Sequence, residues 1–223
     1  MYVNHILDKN NRTDELNDLV RILLEFAIRD IKVQGVRPLI LETYRTQKRQ
    51  NYLYCQGRTV SEVMKKGISK SFAQSYCNPK AAKITWTVNS LHKQRKAVDI
   101  VPARKIDGKW TAIWNTKDKQ TQSIIKSMQK YGFEAGANWT NNPDSPHFQV
   151  NGPFSRVFKQ GSNTTYVTMV IQKALNKKAK TKLKVDGFWG SKTTEAVNKF
   201  RKQQGYKLIN GQLGAIALKA LLV

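Results

Sequence analysis

The sequence predicts an α+β domain with a small antiparallel sheet, followed by a small all-α domain of three helices. In the first two thirds of the chain, short apolar runs alternate with amphipathic stretches and long polar loops, which is the pattern of an α+β architecture. The last third shows turn-and-helix signals without a strand pattern. With 40% hydrophobic residues among 223, the chain can bury a core, so a disordered chain is not expected.

The elements of the α+β part each have a local signal. Thr13, followed by two acids, predicts a helix start, and apolar residues at helical spacing continue toward a stop at Gly35. Residues 36–44 predict a short buried strand, and the polar run after Arg45 predicts a helix. The segment 57–89 is interpreted as loop-rich, with no helix or strand assigned to it. The remaining predicted elements are strands at 96–101 and 146–150 and a helix at 118–132.

An internal repeat organises the C-terminal part. Residues 185–197 and 209–221 align at an offset of 24, and in each an Asp-Gly or Asn-Gly turn opens a helix. A first helix is predicted at 166–179, after a Gly/Ser/Asn-rich stretch that is typical of a linker. The expected boundaries are therefore a first domain at 1–152, a linker at 153–163 and a second domain at 164–223.

Charge and composition limit the partners and the compartment. Lys and Arg number 39 against 15 Asp and Glu, a net charge of +24. This charge indicates a polyanionic partner and does not distinguish nucleic acid from an anionic cell wall or membrane surface. No helix-turn-helix, zinc-finger or RNP pattern supports a specific nucleic acid partner. No run has the length of a signal peptide or a membrane span. We therefore expect a cytoplasmic monomer in which Cys55 and Cys77 are free thiols.

Three residues raise the question of a metal site. The chain has three histidines, and His92 stands seven residues before Asp99, which interrupts an apolar strand. Alone, each could be structural, but a carboxylate in such a strand needs a partner or a cation. His147 opens another apolar strand. If the two strands are neighbours, two histidines and one carboxylate converge, which is a catalytic zinc ligand set. Asp144 would then lie beside the open position as a general base.

These residues also carry a family resemblance over about residues 15–150. The chain resembles the zinc D-alanyl-D-alanine carboxypeptidase and L-alanyl-D-glutamate endopeptidase family, which includes many bacteriophage endolysins. The motifs that carry the resemblance are Ser90-x-His92, Ala97-x-Asp99, Asp144-x-x-His147-Phe148 and the segment 44–58. The resemblance implies one Zn²⁺ per chain on His92, Asp99 and His147, with Asp144 as the catalytic base.

The resemblance also implies a role for Arg45, which would hold a substrate carboxylate or the developing oxyanion. A planar guanidinium suits that task because it binds carboxylates through two parallel hydrogen bonds. Gln50, Ser90 and Trp139 are predicted to contact substrate, although capping or core hydrogen bonds explain Gln50 and Ser90 equally well.

The sequence departs from the family pattern at two positions. Arg95 stands where the family commonly has Gly, which puts the turn between the first two ligands in question. Asp144 stands where the base is often Glu, and this leaves Glu134 as a less favoured substitute.

The C-terminal repeat resembles the peptidoglycan-binding module of three short helices, over about residues 163–223. Trp189 and Phe188 are its predicted wall contacts, with a role as core aromatics as the alternative. Together the two resemblances imply a phage-type endolysin that cuts the L-Ala–D-Glu bond of peptidoglycan after release from the host cytoplasm. The alternatives are a D,D-carboxypeptidase acting on D-Ala-D-Ala ends, and a non-enzymatic basic protein that binds the wall or nucleic acid.

Overall fold

The computed structural model describes residues 6–151, 158–161 and 165–222. The helices are α1 (Asp18–Val33), α2 (Gln47–Cys55), α3 (Val60–Met64), α4 (Lys70–Tyr76), α5 (Lys119–Lys130), α6 (Thr165–Lys178), α7 (Ser191–Gln203) and α8 (Ala215–Leu222). The strands are β1 (Pro38–Glu42), β2 (Ala97–Ile106), β3 (Lys109–Ala112), β4 (Glu134–Ala135) and β5 (His147–Gln149).

The strands form one antiparallel sheet in the order β1-β2-β5-β4, with β3 paired to the far end of β2. The predicted α+β fold with a small antiparallel sheet is therefore confirmed. Strands β3 and β4 were not predicted. The β2–β3 hairpin turns at Asp107 and Gly108, both with positive φ, which is the backbone that a two-residue Asp-Gly turn provides.

The sheet register brings three polar residues into one row. Asp99 on β2 lies opposite Glu42 on β1 and opposite His147 on β5. Directly opposed residues share a face of the sheet, so all three point to the same side. The other face carries Val98, Phe148 and neighbouring apolar side chains, which are buried against α1 and α5. The core therefore lies on one side of the sheet and the polar row on the other.

Two of the predicted local elements are corrected. Thr13 begins only a short 3-10 turn, and α1 begins at Asp18, where the Asn17 side chain accepts a hydrogen bond from Leu19 N at 3.1 Å. The stop at Gly35 is confirmed by its φ of 75°. The segment interpreted as loop-rich at 57–89 contains α3 and α4.

The C-terminal helices pack on one another and also on α1. In each repeat the turn glycine has positive φ and its N–H donates to an amide side chain of the preceding helix, Gly187 to Gln172 and Gly211 to Asn198. Phe158 pairs through its backbone with Leu213. Residues 152–157 and 162–164, most of the predicted linker, lie outside the described residues.

The apolar core is continuous between the first part of the chain and α6–α8. The division into two domains therefore stays a prediction.

Both cysteines are free thiols. Among the described residues, every helix is too short or too polar to cross a lipid bilayer.

Candidate metal centre and its cleft

Three ligand atoms meet at the centre of the polar row. His92 Nε2 lies 3.0 Å from Asp99 Oδ1, His147 Nδ1 lies 3.1 Å from the same oxygen, and the two ring nitrogens are 3.2 Å apart. Both histidines are buried, at 1% and 6% exposure. The predicted convergence of the three side chains is therefore what the fold produces, and together they form a possible metal site.

The fold fixes the tautomer of His92. Its Nδ1 lies 2.5 Å from the carbonyl oxygen of Thr43, and a carbonyl only accepts, so Nδ1 carries the proton. The lone pair of Nε2 is left pointing at Asp99. A backbone carbonyl in this position is the usual outer partner of a metal-binding histidine. Ser90, whose hydroxyl accepts from His92 N at 3.3 Å, begins the 3-10 turn that carries the ring.

The side chains of Gln149 and Glu134 fix the tautomer of His147. Its Nε2 lies 3.1 Å from Gln149 Oε1, and the amide of Gln149 donates to Glu134 Oε2 at 3.1 Å, which leaves Oε1 free to accept. His147 is thus protonated on Nε2 and presents the Nδ1 lone pair to Asp99. Both histidines therefore turn an acceptor toward an anionic oxygen, an arrangement that favours a shared cation.

The electrostatics around Asp99 show what the anionic oxygen does when the site holds protons in place of a metal ion. Burial by itself would raise the pKa of Asp99, but the charge of a protonated His92 and the hydrogen bonds that protonated rings donate hold that pKa well below its usual range. For His147 burial would lower the pKa, and the hydrogen bond and charge of Asp99 outweigh it and raise that pKa. The carboxylate thus stays ionised and attracts either protons or a metal ion to the two rings.

Arg45 is held beside the candidate centre by buried acceptors. Its Nη2 donates to Glu42 Oε2 at 2.7 Å and to Asp99 Oδ2 at 3.3 Å, and Nη1 donates to Gln50 Oε1 at 2.9 Å. Glu42 also pairs with Arg49. The guanidinium is therefore a fixed positive charge at the cleft floor, next to the oxygen of Asp99 that does not face the histidines.

Asp144 lies on the loop that enters β5. Its N–H donates to the Gly136 carbonyl at 3.0 Å, and its own carbonyl accepts from His147 N at 3.2 Å. Burial, with the charge of Asp99, raises the pKa of the Asp144 carboxyl. A Cβ on Gly136 would lie 2.6 Å from the Asp144 carbonyl oxygen and 3.1 Å from the His147 Cβ. The close approach of this loop to the centre therefore requires a glycine.

A cleft of about 680 Å³ opens over the centre. Asp99, Asp144, His147 and Arg45 lie on its floor, and several tryptophans line its walls. Trp139 packs its ring 5.3 Å from that of His147 and donates to Glu134 Oε1 at 2.5 Å. The volume is within the usual range for a small-molecule or peptide site.

The other predicted site residues take different positions. Ser90 is part of the cleft wall. Gln50 is fully buried, and its side chain is bonded to Arg45, Thr85 and Thr87, so it supports the site from behind. Trp189 is 4% exposed and its indole donates to Thr194, whereas Phe188 is 71% exposed. Of these two aromatics, the geometry leaves Phe188 available at the surface.

Arg95 and Glu134, the two positions left open by the sequence, also have defined places. Arg95 has φ 60° and ψ 30°, the left-handed conformation in which glycine is common, and it ends the turn that carries His92. Its guanidinium pairs with Glu15 and stacks 4.0 Å over Tyr44. Glu134 accepts from Trp139, Gln149 and Asn151. It is therefore engaged in support and is not part of the cleft wall.

Several supporting residues were missed by sequence reasoning. Thr43 contacts His92 and Arg49 contacts the Ile6 carbonyl, partners far along the chain that no local pattern reveals. Others have partners nearby in the sequence, as Gln149 has in His147. Two of the missed residues did carry a signal in the sequence. Glu42 is an acid at the end of an apolar strand, and Gly136 is a glycine in the segment before His147. The missed residues are Glu42, Thr43, Arg49, Glu134 in its supporting role, Gly136 and Gln149.

The comparisons with known proteins point to one family. The model of the family described as D-alanyl-D-alanine carboxypeptidase matches residues 83–150, which include His92, Asp99, Asp144 and His147. The L-alanyl-D-glutamate peptidase of Listeria phage A118 is 26% identical over 166 residues, 74% of this chain and 47% of that protein. The chain thus spans about half the length of this relative. The resemblance to the peptidase family is confirmed, whereas the resemblance of the C-terminal repeat stays a prediction.

Solved structures of similar proteins superpose loosely. The L-Ala D-Glu endopeptidase ChiX of Serratia marcescens gives a TM-score of 0.39 at 18% identity, over 67% of this chain and 96% of that one. A mutant of the vancomycin resistance D,D-pentapeptidase VanY, in complex with Zn(II), gives 0.39 at 19% identity, over 61% of this chain and 73% of that one.

Proposed function

We propose that the chain is a zinc-dependent peptidase that hydrolyses the L-Ala–D-Glu bond in peptidoglycan stem peptides. The observation that carries the proposal is the convergence of three lone-pair acceptors, on His92, Asp99 and His147, inside the segment that matches a peptidase family. The activity named for the Listeria phage relative supports this choice of bond.

The donor set supports zinc as the metal. Bonds of about 2.0–2.2 Å in a tetrahedral site place ligand atoms roughly 3.3–3.6 Å apart. The three contacts of 3.0–3.2 Å need only a small outward movement of the side chains to reach that spacing. Two imidazoles favour zinc over magnesium or calcium, which prefer oxygen ligands. With three protein ligands, the fourth position stays open, as in catalytic zinc sites.

The metal ion and the surrounding residues would each perform one part of the reaction. A bound zinc ion would act as a Lewis acid that polarises the scissile carbonyl and lowers the pKa of water. Asp144, with its raised pKa, would take a proton from the attacking water and deliver it to the leaving amine as the C–N bond breaks. Arg45 would hold a substrate carboxylate or the oxygen that becomes negative.

The rest of the proposal concerns attachment to the wall. Residues 164–223 would form a wall-binding domain after a linker at 153–163, with the peptidase domain at 1–152. Phe188 is the exposed aromatic available for such contact. The net charge of +24 would add attraction to anionic wall polymers. The chain would then act at the cell wall as a monomer.

Digestion of purified peptidoglycan tests the proposal. Wild type, Asp144→Asn and the control Asp107→Asn, in the exposed β2–β3 turn, are compared by mass spectrometry of the released fragments, with zinc quantified in each. We expect new N-terminal D-Glu (or its amide) from wild type and from the control. Asp144→Asn should retain zinc and release nothing, because it keeps the ligands but lacks a base.

Other fragments would change or overturn the proposal. Release of single D-Ala residues would identify a D,D-carboxypeptidase, the activity named by the matching family model. A wild-type protein that holds no zinc and releases nothing from walls of several chemotypes would contradict peptidase function and leave a basic binding protein.

A further inference from the structure

Trp86 is an exposed aromatic on a rigid part of the cleft wall. It is 55% exposed, yet the backbone on both sides of it is fixed by buried side chains. Arg58 donates to the Thr85 carbonyl at 2.9 Å, and Gln50 donates to the Thr87 carbonyl at 2.6 Å. An indole left half in water on a fixed backbone is pre-organised for contact with another molecule.

Trp114 is a second such side chain on the same cleft. It is also 55% exposed and follows Ile113, whose N–H is fixed to the Pro102 carbonyl at 2.9 Å. Trp86 and Trp114 line the cavity that has Asp99 and His147 on its floor. The exposed aromatic surface is therefore continuous with the candidate metal centre and is not a separate patch.

Neutral polar groups line the same cavity as these tryptophans, namely Thr85, Thr87, Asn89 and Asn142. The cations Lys9 and Lys83 also line it, and Lys83 Nζ lies 5.6 Å from the centre of the Trp86 ring. The acids that line the cavity lie on its floor. Hydroxyl and amide groups beside flat apolar rings suit a ligand with hydroxyls at its edge and C–H groups on its faces. A pyranose sugar has both properties, whereas an apolar peptide side chain would not use the polar groups.

We propose that the tryptophan-lined rim, formed by Trp86 and Trp114, binds the glycan of the substrate while the peptide is cut at the floor. The inference rests on the proposed function, since the L-Ala–D-Glu bond lies only one amino acid and a lactyl group from the muramic acid ring. One residue spans at most about 3.6 Å. The sugar next to the scissile bond must therefore lie within the same cleft.

The test compares two substrates that differ only in the sugar. One is the free stem peptide, and the other is the same peptide attached to the GlcNAc-MurNAc disaccharide. We expect Trp86→Ala and Trp114→Ala to lower kcat/KM on the disaccharide-linked peptide about tenfold each, the loss of one moderate contact. On the free peptide both variants should stay within about twofold of wild type.

Trp110→Ala is the matched control. Trp110 is 51% exposed and stacks on Arg37, and it lies outside this cleft. It should leave both substrates unchanged. Equal losses on both substrates, or no loss on either, would overturn the glycan subsite.

Binding of the disaccharide alone separates this inference from the proposed function. If wild type cuts neither substrate, the proposed function fails, and tryptophan fluorescence with peptide-free GlcNAc-MurNAc still tests the rim. Binding that persists in Trp110→Ala and weakens at least tenfold in Trp86→Ala supports the subsite. Absence of disaccharide binding to wild type contradicts it.

Discussion

The floor and the rim of the cleft are built in opposite ways. On the floor, Asp99 and His147 face each other across paired strands. Arg45 and His92 contact the Asp99 carboxylate from other elements, and Gln149 on the same strand contacts the His147 ring. On the rim, Trp86 and Trp114 lie between elements and are half exposed. On the floor, buried polar groups fix the positions of a few ligand atoms. On the rim, apolar side chains are left exposed to solvent.

The difference indicates which changes each region tolerates. Floor residues hold one another, so a substitution there disturbs neighbours and leaves buried polar groups unpaired, which is costly. A rim side chain is half exposed, and the Trp86 ring faces the cations of Arg58 and Lys83 at 5.8 and 5.6 Å. Its removal should therefore cost the fold little and be felt mainly by the ligand.

Loss of a floor ligand should have the largest effect. Asp99→Asn keeps the shape but removes the anionic oxygen between the two rings. We expect activity on peptidoglycan to fall by more than the roughly 10–100-fold typical of losing an outer partner of a metal ligand, together with loss of bound zinc. Turnover and metal content measured beside Asp107→Asn check this, and full activity in Asp99→Asn would break the contrast.

Removal of the outer partner of His147 should have a smaller effect. Gln149→Met takes away the acceptor that keeps the ring protonated on Nε2. Zinc affinity should weaken about 10–100-fold, measured by competition with a chelator. The control is Gln129→Met, exposed on α5, which should match wild type. Equal affinities for all three proteins would show that Gln149 does not set the tautomer.

A steric change at the floor should cost stability. In Gly136→Ala the new Cβ meets the Asp144 carbonyl oxygen and the His147 Cβ, so we expect the free energy of unfolding to drop by about 1–3 kcal/mol and activity to fall. Gly214→Ala, whose Cβ meets nothing within 4 Å, should stay within about 0.5 kcal/mol. Denaturant unfolding measures both, and similar values would argue against a tight loop.

The smallest effect is expected at the rim. Trp86→Ala should change the free energy of unfolding by about 0.5 kcal/mol or less, as for ordinary surface positions. Trp189→Ala, at a side chain that is 4% exposed, should cost about 3–5 kcal/mol. Chemical denaturation of the two variants compares them directly. A large loss of stability in Trp86→Ala would show that this indole packs structurally.

Sequence reasoning found two of the candidate ligands through local signals. Asp99 interrupts an apolar strand, and His147 opens another. Most of the supporting residues had a weaker signal or none. Thr43 contacts His92 through a turn, and Glu42 lies opposite Asp99 through the sheet register. Gln149 contacts His147 two residues away on the same strand.

The elements of the fold were likewise predictable only where they carry a strong local signal. Strongly periodic elements such as α5 were found, whereas α3 and α4, of five and seven residues, are too short for periodicity. The sequence signals of these two helices are their N-terminal caps. The Thr59–Glu62 capping box begins α3, and Ser69 caps α4. The start of α1 was misplaced because Thr13 and its acids look like a cap, although Asn17 is the residue that caps the helix.

X-ray absorption at the zinc K-edge, on protein loaded with one equivalent of zinc, tests the proposed ligand set. We expect one tightly bound ion whose nearest neighbours are nitrogen and oxygen at about 2.0–2.2 Å, with the outer-shell pattern of two imidazoles. A sulfur neighbour at about 2.3 Å, from Cys55 or Cys77, or no tight binding at all, would contradict it.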